Sequence, residues 1–227
     1  PTFRHEAFEQ YKAQREETPE AIRLSVPIIK EIIRAYRIPI LEVAGYEADD
    51  VIGTLATEAG RQGIITYMMT PDKDYGQLVS DKVFMYRPKH TGGFEVMGVD
   101  EVKAKFDIQS PAQVIDMLGL MGDSSDNIPG CPGVGEKTAQ KLIAEFGSIE
   151  NLLEHTDQLK GALKTKVETN REMITFSKFL ATIKIDVPIQ LDMDSLVREQ
   201  ADEDSLRQIF EELEFRTLID RVLKKEN

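Results

Sequence analysis

Three short stretches concentrate carboxylates: Glu47-Ala48-Asp49-Asp50, Asp72-Lys73-Asp74 and Gly122-Asp123-Ser124-Ser125-Asp126-Asn127. Glu47 and Asp50 are three positions apart, as are Asp123 and Asp126, so each pair can share one face of a helical turn. Singly, each stretch has a plain structural explanation. The first can be an acidic opening turn that complements a helix dipole. The second fits Pro-Asp turn chemistry, and the third fits Asx capping at a helix end. Together they differ, because seven carboxylates gathered by a fold repel strongly. Hard divalent cations relieve that repulsion, and oxygen ligands without His or Cys suit Mg2+ or Mn2+ rather than zinc. Two such ions about 3.5–4 Å apart support in-line phosphodiester hydrolysis.

A second constellation is Ile128-Pro129-Gly130-Cys131-Pro132-Gly133-Val134-Gly135-Glu136-Lys137-Thr138-Ala139. Gly133-x-Gly135 stands before a helix expected from about Glu136 to Phe146, with Gly147 at its end. Glycines let backbone approach a phosphate, a helix start offers free N–H groups, and Lys137 adds a point charge. The spacing does not match the GxxxxGK[ST] phosphate loop. The segment is similar to a helix-hairpin-helix motif that grips the nucleic-acid backbone; the bland alternative is a Gly/Pro turn between packed helices.

Elements must carry these residues to one place. Thr18-Pro19-Glu20 reads as a helix start, with Pro27 expected to kink or restart that helix. Residues 38–43 read as a short strand and 46–58 as a helix. The run Ile64-Ile65-Thr66-Tyr67-Met68-Met69 reads as a strand buried on both faces. Strand, helix, strand in that order implies a parallel sheet with a right-handed crossover. Val83 to Tyr86 adds a strand, followed by a hairpin near Thr91-Gly92-Gly93. From Ser110 the pattern turns helical. The expected architecture is an α/β layer over 1–108 and a helical part over 109–227, packed together.

Composition narrows the classes further. A length of 227 residues with 41% apolar and 30% charged residues is enough for a sizeable core. No apolar run reaches membrane-spanning length, so no membrane partner is expected. The lone cysteine, Cys131, has no internal disulfide partner, which fits a reducing, cytoplasmic setting. The net charge of −12 argues against phosphate gripping only if it is evenly spread. It is not: Lys160, Lys164, Lys166, Arg171, Lys178 and Lys184 enrich one stretch.

The ordered set Gly45-Tyr46-Glu47-Ala48-Asp49-Asp50, Thr70-Pro71-Asp72-Lys73-Asp74, Gly122 to Asn127 and Gly130 to Lys137 resembles the motifs of the 5′-nuclease family, and most of all the nuclease domain at the front of bacterial DNA polymerases I. The opening Thr2-Phe3-Arg4-His5-Glu6 and Tyr11-Lys12-Ala13-x-Arg15 resemble that domain's arch, placed here at 1–17. The resemblance implies a PIN-like, mostly parallel α/β fold with a helix-hairpin-helix subdomain. It implies cleavage of 5′ flaps and RNA primers on branched or nicked DNA, inside a bacterial cell at the nucleoid. Glu47, Asp49, Asp50, Asp72, Asp74, Asp123 and Asp126 would serve two or more Mg2+ or Mn2+ ions. Lys12 and Arg15 would contact the scissile phosphate from a mobile arch. Arg4, Gly133, Gly135 and Lys137 would hold DNA, in that family often with a K+ ion at the hairpin. Polymerase domains on the same chain, and a monomer, are the implied partners.

The opening on Pro1 reads as a piece of a longer chain. Family members begin with a strand ending in a metal-ligand Asp, and a further Asp precedes the arch. Without them the expectation is a chain that folds, binds metal weakly and cuts poorly. Three other readings compete: a branched-DNA binder that does not cut, a stand-alone flap endonuclease, and a toxin-type PIN ribonuclease. The long helical half and its hairpin disfavour the last.

Overall fold

The computed structural model describes residues 1–89 and 91–223. In chain order the helices are α1 (Phe3–Ala7), α2 (Glu20–Ala35), α3 (Ala48–Arg61), α4 (Val99–Phe106), α5 (Val114–Met121), α6 (Glu136–Phe146), α7 (Ile149–Glu154), α8 (Gly161–Thr169), α9 (Arg171–Ala181), α10 (Glu203–Glu212) and α11 (Arg216–Leu223). The strands are β1 (Thr66–Met69), β2 (Val83–Pro88) and β3 (Phe94–Met97). No described helix is long and apolar enough to cross a membrane.

The fold is mixed α/β with a small sheet. The strand order is β1-β2-β3, with β1 and β2 parallel and β2 and β3 antiparallel. The sheet is therefore mixed rather than mostly parallel. Ile38 to Val43 form no strand; Pro39 lacks a backbone donor, and no neighbouring ladder accepts the segment. The run at 64–69 also departs from expectation. Met68 is buried, but Ile65, Tyr67 and Met69 are 58%, 56% and 72% exposed. β1 is thus an edge strand with one apolar face open, and a continuous apolar run misled the reading because it cannot distinguish one covered face from two. Helix α2 runs through Pro27 without restarting, forfeiting one backbone bond rather than breaking.

The chain forms two compact units. The first comprises 1–15 and 43–190. Its core runs from Met68, Val83 and Met85 of the sheet through Met117, Leu118 and Leu120 of α5 to Ile174 and Leu180 of α9. That continuous core joins sheet and helices across the composition change at 108/109. The second unit comprises, among the described residues, 16–42 and 191–223. Within it Ala35, Leu206, Phe210 and Leu223 form a small core, and the Asp202 amide donates to the Ala35 carbonyl at 2.8 Å.

Candidate active site

Each acidic stretch is set by local backbone chemistry. Glu47 is the N-cap of α3, and its amide donates to Asp50 Oδ2 at 3.1 Å. That bond fixes the first helical turn with Asp49 and Asp50 at its start. Asp72 Oδ1 accepts from the Asp74 amide at 3.0 Å, shaping the turn just beyond β1. Gly122 ends α5 at φ +74°, where a Cβ would lie 2.6 Å from the Ile128 carbonyl oxygen. This position therefore needs glycine. Asp123 and Ile128 then exchange two backbone bonds of 3.0 and 2.8 Å, closing the loop that presents Asp126.

The second and third stretches meet. Asp72, Asp74, Asp123 and Asp126 line one cavity of about 370 Å³. The first and third are joined through side chains: Lys12 Nζ lies 2.5 Å from Glu47 Oε1 and 3.4 Å from Asp126 Oδ2. The Tyr11 hydroxyl donates to Glu47 at 3.1 Å. Oxygens of Glu47, Asp49 and Asp50 lie within 4.8 Å of one another, a spacing that can hold a metal ion.

The chain's own cations neutralise part of this cluster. Arg4 is 1% exposed. It donates to Glu47 at 2.7 Å, twice to Asp50 at 2.8 Å, and to the carbonyls of Leu180 at 3.0 Å and Thr182 at 2.6 Å. Those bonds use all the donors a guanidinium has, so Arg4, expected at the DNA, is instead an interior staple. Asp50 also accepts from the Lys184 amide at 2.8 Å. Burial opposes ionisation of Asp50, but the Arg4 bonds outweigh it and hold the carboxyl below the usual range. Lys73 Nζ sits 2.5 Å from Asp123 Oδ2, and against its burial holds that carboxyl low too. Arg15 Nη2 donates to Asp126 Oδ1 at 2.5 Å.

Asp49 and Asp74 differ. Each has a buried Oδ1 without any hydrogen-bond partner. Burial, then neighbouring Glu47 and Asp50, pushes Asp49 up to about 6. Burial, then Asp72, pushes Asp74 up to about 7. A buried carboxylate oxygen without a donor is costly. A hard cation satisfies it, so the residues present fit Mg2+ or Mn2+.

The opening segment is held more firmly than expected. Tyr11 is 3% exposed, and the Lys12 amide donates to the Asp126 carbonyl at 3.0 Å. The segment expected as a mobile arch is instead anchored by the buried Tyr11 ring and the Arg4 guanidinium. At the hairpin, Gly133 has φ +77°, Gly135 is the N-cap of α6, and Lys137 is exposed. Lys166 Nζ reaches the Gly133 carbonyl at 3.5 Å, a contact no local pattern announced. Lys178, in the basic stretch, is committed to Asp116 and Glu150 at 2.7 and 2.8 Å. Sequence reading also passed over Lys73 and Tyr11, although each adjoins a named site residue.

The chain resembles known proteins over nearly its whole length. A family model described as "5'-3' exonuclease, N-terminal resolvase-like domain" matches residues 1–107, and one described as "5'-3' exonuclease, C-terminal SAM fold" matches 109–204. The chain belongs to the 5′-3′ exonuclease family. This exonuclease-family chain is 42% identical over 223 residues to DNA polymerase I of Bacillus caldotenax and 44% identical over 223 residues to that of Bacillus subtilis. The matches take in 97% of the chain but 25% of each relative, so it spans about a quarter of their length. Among solved structures, T5 5′-exonuclease with bound zinc superposes with TM-score 0.66 at 21% identity, covering 94% of this chain and 79% of that one. The catalytic core of Rad2 with DNA substrate superposes with TM-score 0.64 at 16% identity, covering 98% and 75%. These two likenesses concern the fold.

Proposed function

We propose that this chain is a divalent-metal-dependent 5′-nuclease that hydrolyses phosphodiesters of branched DNA, releasing 5′ flaps or RNA primers, as part of a DNA polymerase I. The carrying observation is the pair of buried, donorless oxygens on Asp49 and Asp74, set among further carboxylates. Asp49 and Asp74, with Glu47, Asp72, Asp123 and Asp126, would hold two or more Mg2+ or Mn2+ ions. Bound there, such ions supply Lewis acidity and a water acidic enough to attack near neutral pH. Asp50, saturated by Arg4 and the Glu47 and Lys184 amides, would keep the other ligands in register rather than offer a free oxygen. Lys12 and Arg15 lie against Glu47 and Asp126, where they can pass to a phosphate oxygen and orient it for in-line attack. Gly133, Gly135, Lys137 and the start of α6 would hold duplex backbone away from the cut, with K+ as a candidate ion there. The same reading places the protein in the bacterial cytoplasm, working as a monomer.

DNA binding without cleavage is the second reading. It draws on the Arg4–Asp50 and Lys73–Asp123 pairs, which need no metal. Asp49 and Asp74 favour the first. The deciding measurement is release of label from a 5′-labelled flap duplex with Mg2+, with Mn2+ and with EDTA, beside Asp74→Ala. Metal-dependent release lost in the variant is expected. Release that persists in EDTA, or that Asp74→Ala leaves unchanged, would sink the nuclease reading.

A further inference from the structure

The carboxylate cavity has a second, basic end. Besides Asp72, Asp74, Asp123 and Asp126 it is lined by Arg87, from the end of β2, and Lys105, from the last turn of α4. Neither residue belongs to an acidic stretch or to the hairpin. The cavity shares Pro71 and Arg87 with an adjoining one of about 410 Å³, which continues to Lys89 and Thr91. Glu95, the partner of Arg87, also lines that adjoining cavity.

The two cations lack the partners that surface cations in this chain commonly have. Among the described residues Lys105 forms no ion pair; its ammonium lies 5.9 Å from the Phe106 ring centroid. Arg87 has one distant partner, Glu95, at 3.8 Å, and a 3.9 Å contact to Met97 Sδ. The four carboxylates of the cavity are not paired with them: Asp123 takes Lys73, and Asp126 takes Arg15 and Lys12. Burial, followed by the nearby Arg87 charge, lowers the Lys105 pKa, so the pair repels in the absence of an anion. Cations held together beside an open cavity, with most of their donors unspent, make an anion site.

We propose that Arg87 and Lys105 form a phosphate-binding subsite for the nucleic-acid strand, holding the phosphate next to the one at the carboxylates. This rests on the nuclease reading for the strand's identity. The subsite would set how far the strand advances into the cavity, so both are positioning residues. Arg87 is the charged residue common to both cavities. Arg87 can grip a phosphate through two donors, and Lys105 adds a point charge.

The test is the salt dependence of flap-duplex binding, measured by fluorescence anisotropy in EDTA, where no cleavage intervenes. Arg87→Gln, Lys105→Gln and the double variant are compared with Lys105→Arg. All side chains are on the surface or half-buried, and thermal melting by circular dichroism checks that the fold is kept. The double variant is expected to bind about tenfold more weakly at moderate salt, with a log K against log salt slope shallower by about one. Lys105→Arg should keep the wild-type slope. In cleavage with Mg2+, KM should rise while the Mg2+ midpoint stays put. An unchanged slope overturns the subsite. A shifted Mg2+ midpoint with an unchanged slope also overturns it, because the cations would then merely offset carboxylate charge. Cleavage that persists in EDTA would sink the nuclease reading alone, since the anisotropy slope still reports on Arg87 and Lys105.

Discussion

Two ends of one acidic cluster behave in opposite ways. At the Arg4 end, Asp50 is fully buried, takes four hydrogen bonds and is held ionised. At the other end Asp74, like Asp49 next to Asp50 in the sequence, keeps a buried oxygen with no donor and a raised pKa. Residue type is the same; what differs is whether the fold supplies a cation. The paired end serves the structure. The unpaired end stores an unmet electrostatic demand that a bound ion can satisfy, which is how a stable protein keeps a reactive site.

The sharpest break of this comparison is at Arg4. Arg4→Met leaves Asp50 buried and uncompensated, and should destabilise the chain by about 3–5 kcal/mol, read from urea denaturation. A loss under about 1 kcal/mol would show that Asp50 relaxes to solvent and that the two ends are alike.

Asp74→Ala should do the reverse. Without metal it removes an unsatisfied buried group, so denaturation in EDTA should show unchanged or slightly raised stability. Flap cleavage with Mg2+ should fall by at least about 100-fold while flap binding changes little. Equal losses of binding and turnover would take Asp74 out of the metal site.

The pH dependence separates the ends next. Asp49 and Asp74 have folded pKa values of about 6 and about 7, above the unfolded carboxyl value of 3.8. Between these limits the folded state binds more protons than the unfolded one, so their contribution to stability is full below the unfolded value. It is lost as pH rises through about 6 to about 7. Metal-free protein should therefore soften across that window, and Asp74→Asn should flatten the upper part of the slope. Mg2+ should oppose the trend, because it binds the ionised form. A profile in Asp74→Asn identical to wild type would contradict the assignment.

The smallest effect is expected away from the cluster. Lys137→Ala at the start of α6 should leave stability and Mg2+ dependence alone and make the binding slope shallower by about one. No change in slope would remove Lys137 from the phosphate contacts.

Legibility in the sequence followed the range of the interaction. The hairpin helix was read as Glu136 to Phe146 and is found there, because its limits are set by Gly135 and Gly147 in the adjoining positions. The acidic stretches were visible for the same reason: their shape depends on capping and Asx bonds within three residues. The segment at 38–43 was misread because a strand exists only through its neighbour. The open face of β1 was misread because apolar sequence does not record what covers it.

Residue types and short spacings by themselves determined that seven carboxylates stand in three turns, that a glycine-framed helix start follows, and that hard cations and phosphate are the fitting chemistry. Tertiary structure alone decided which carboxylates are free. Arg4 and Asp50 are 46 positions apart, and Lys73 and Asp123 are 50 apart. No local pattern joins them. Coulomb and desolvation energies depend on distance and burial in space, so the same aspartate becomes a structural anion beside Arg4 and an unmet ligand a few ångströms away.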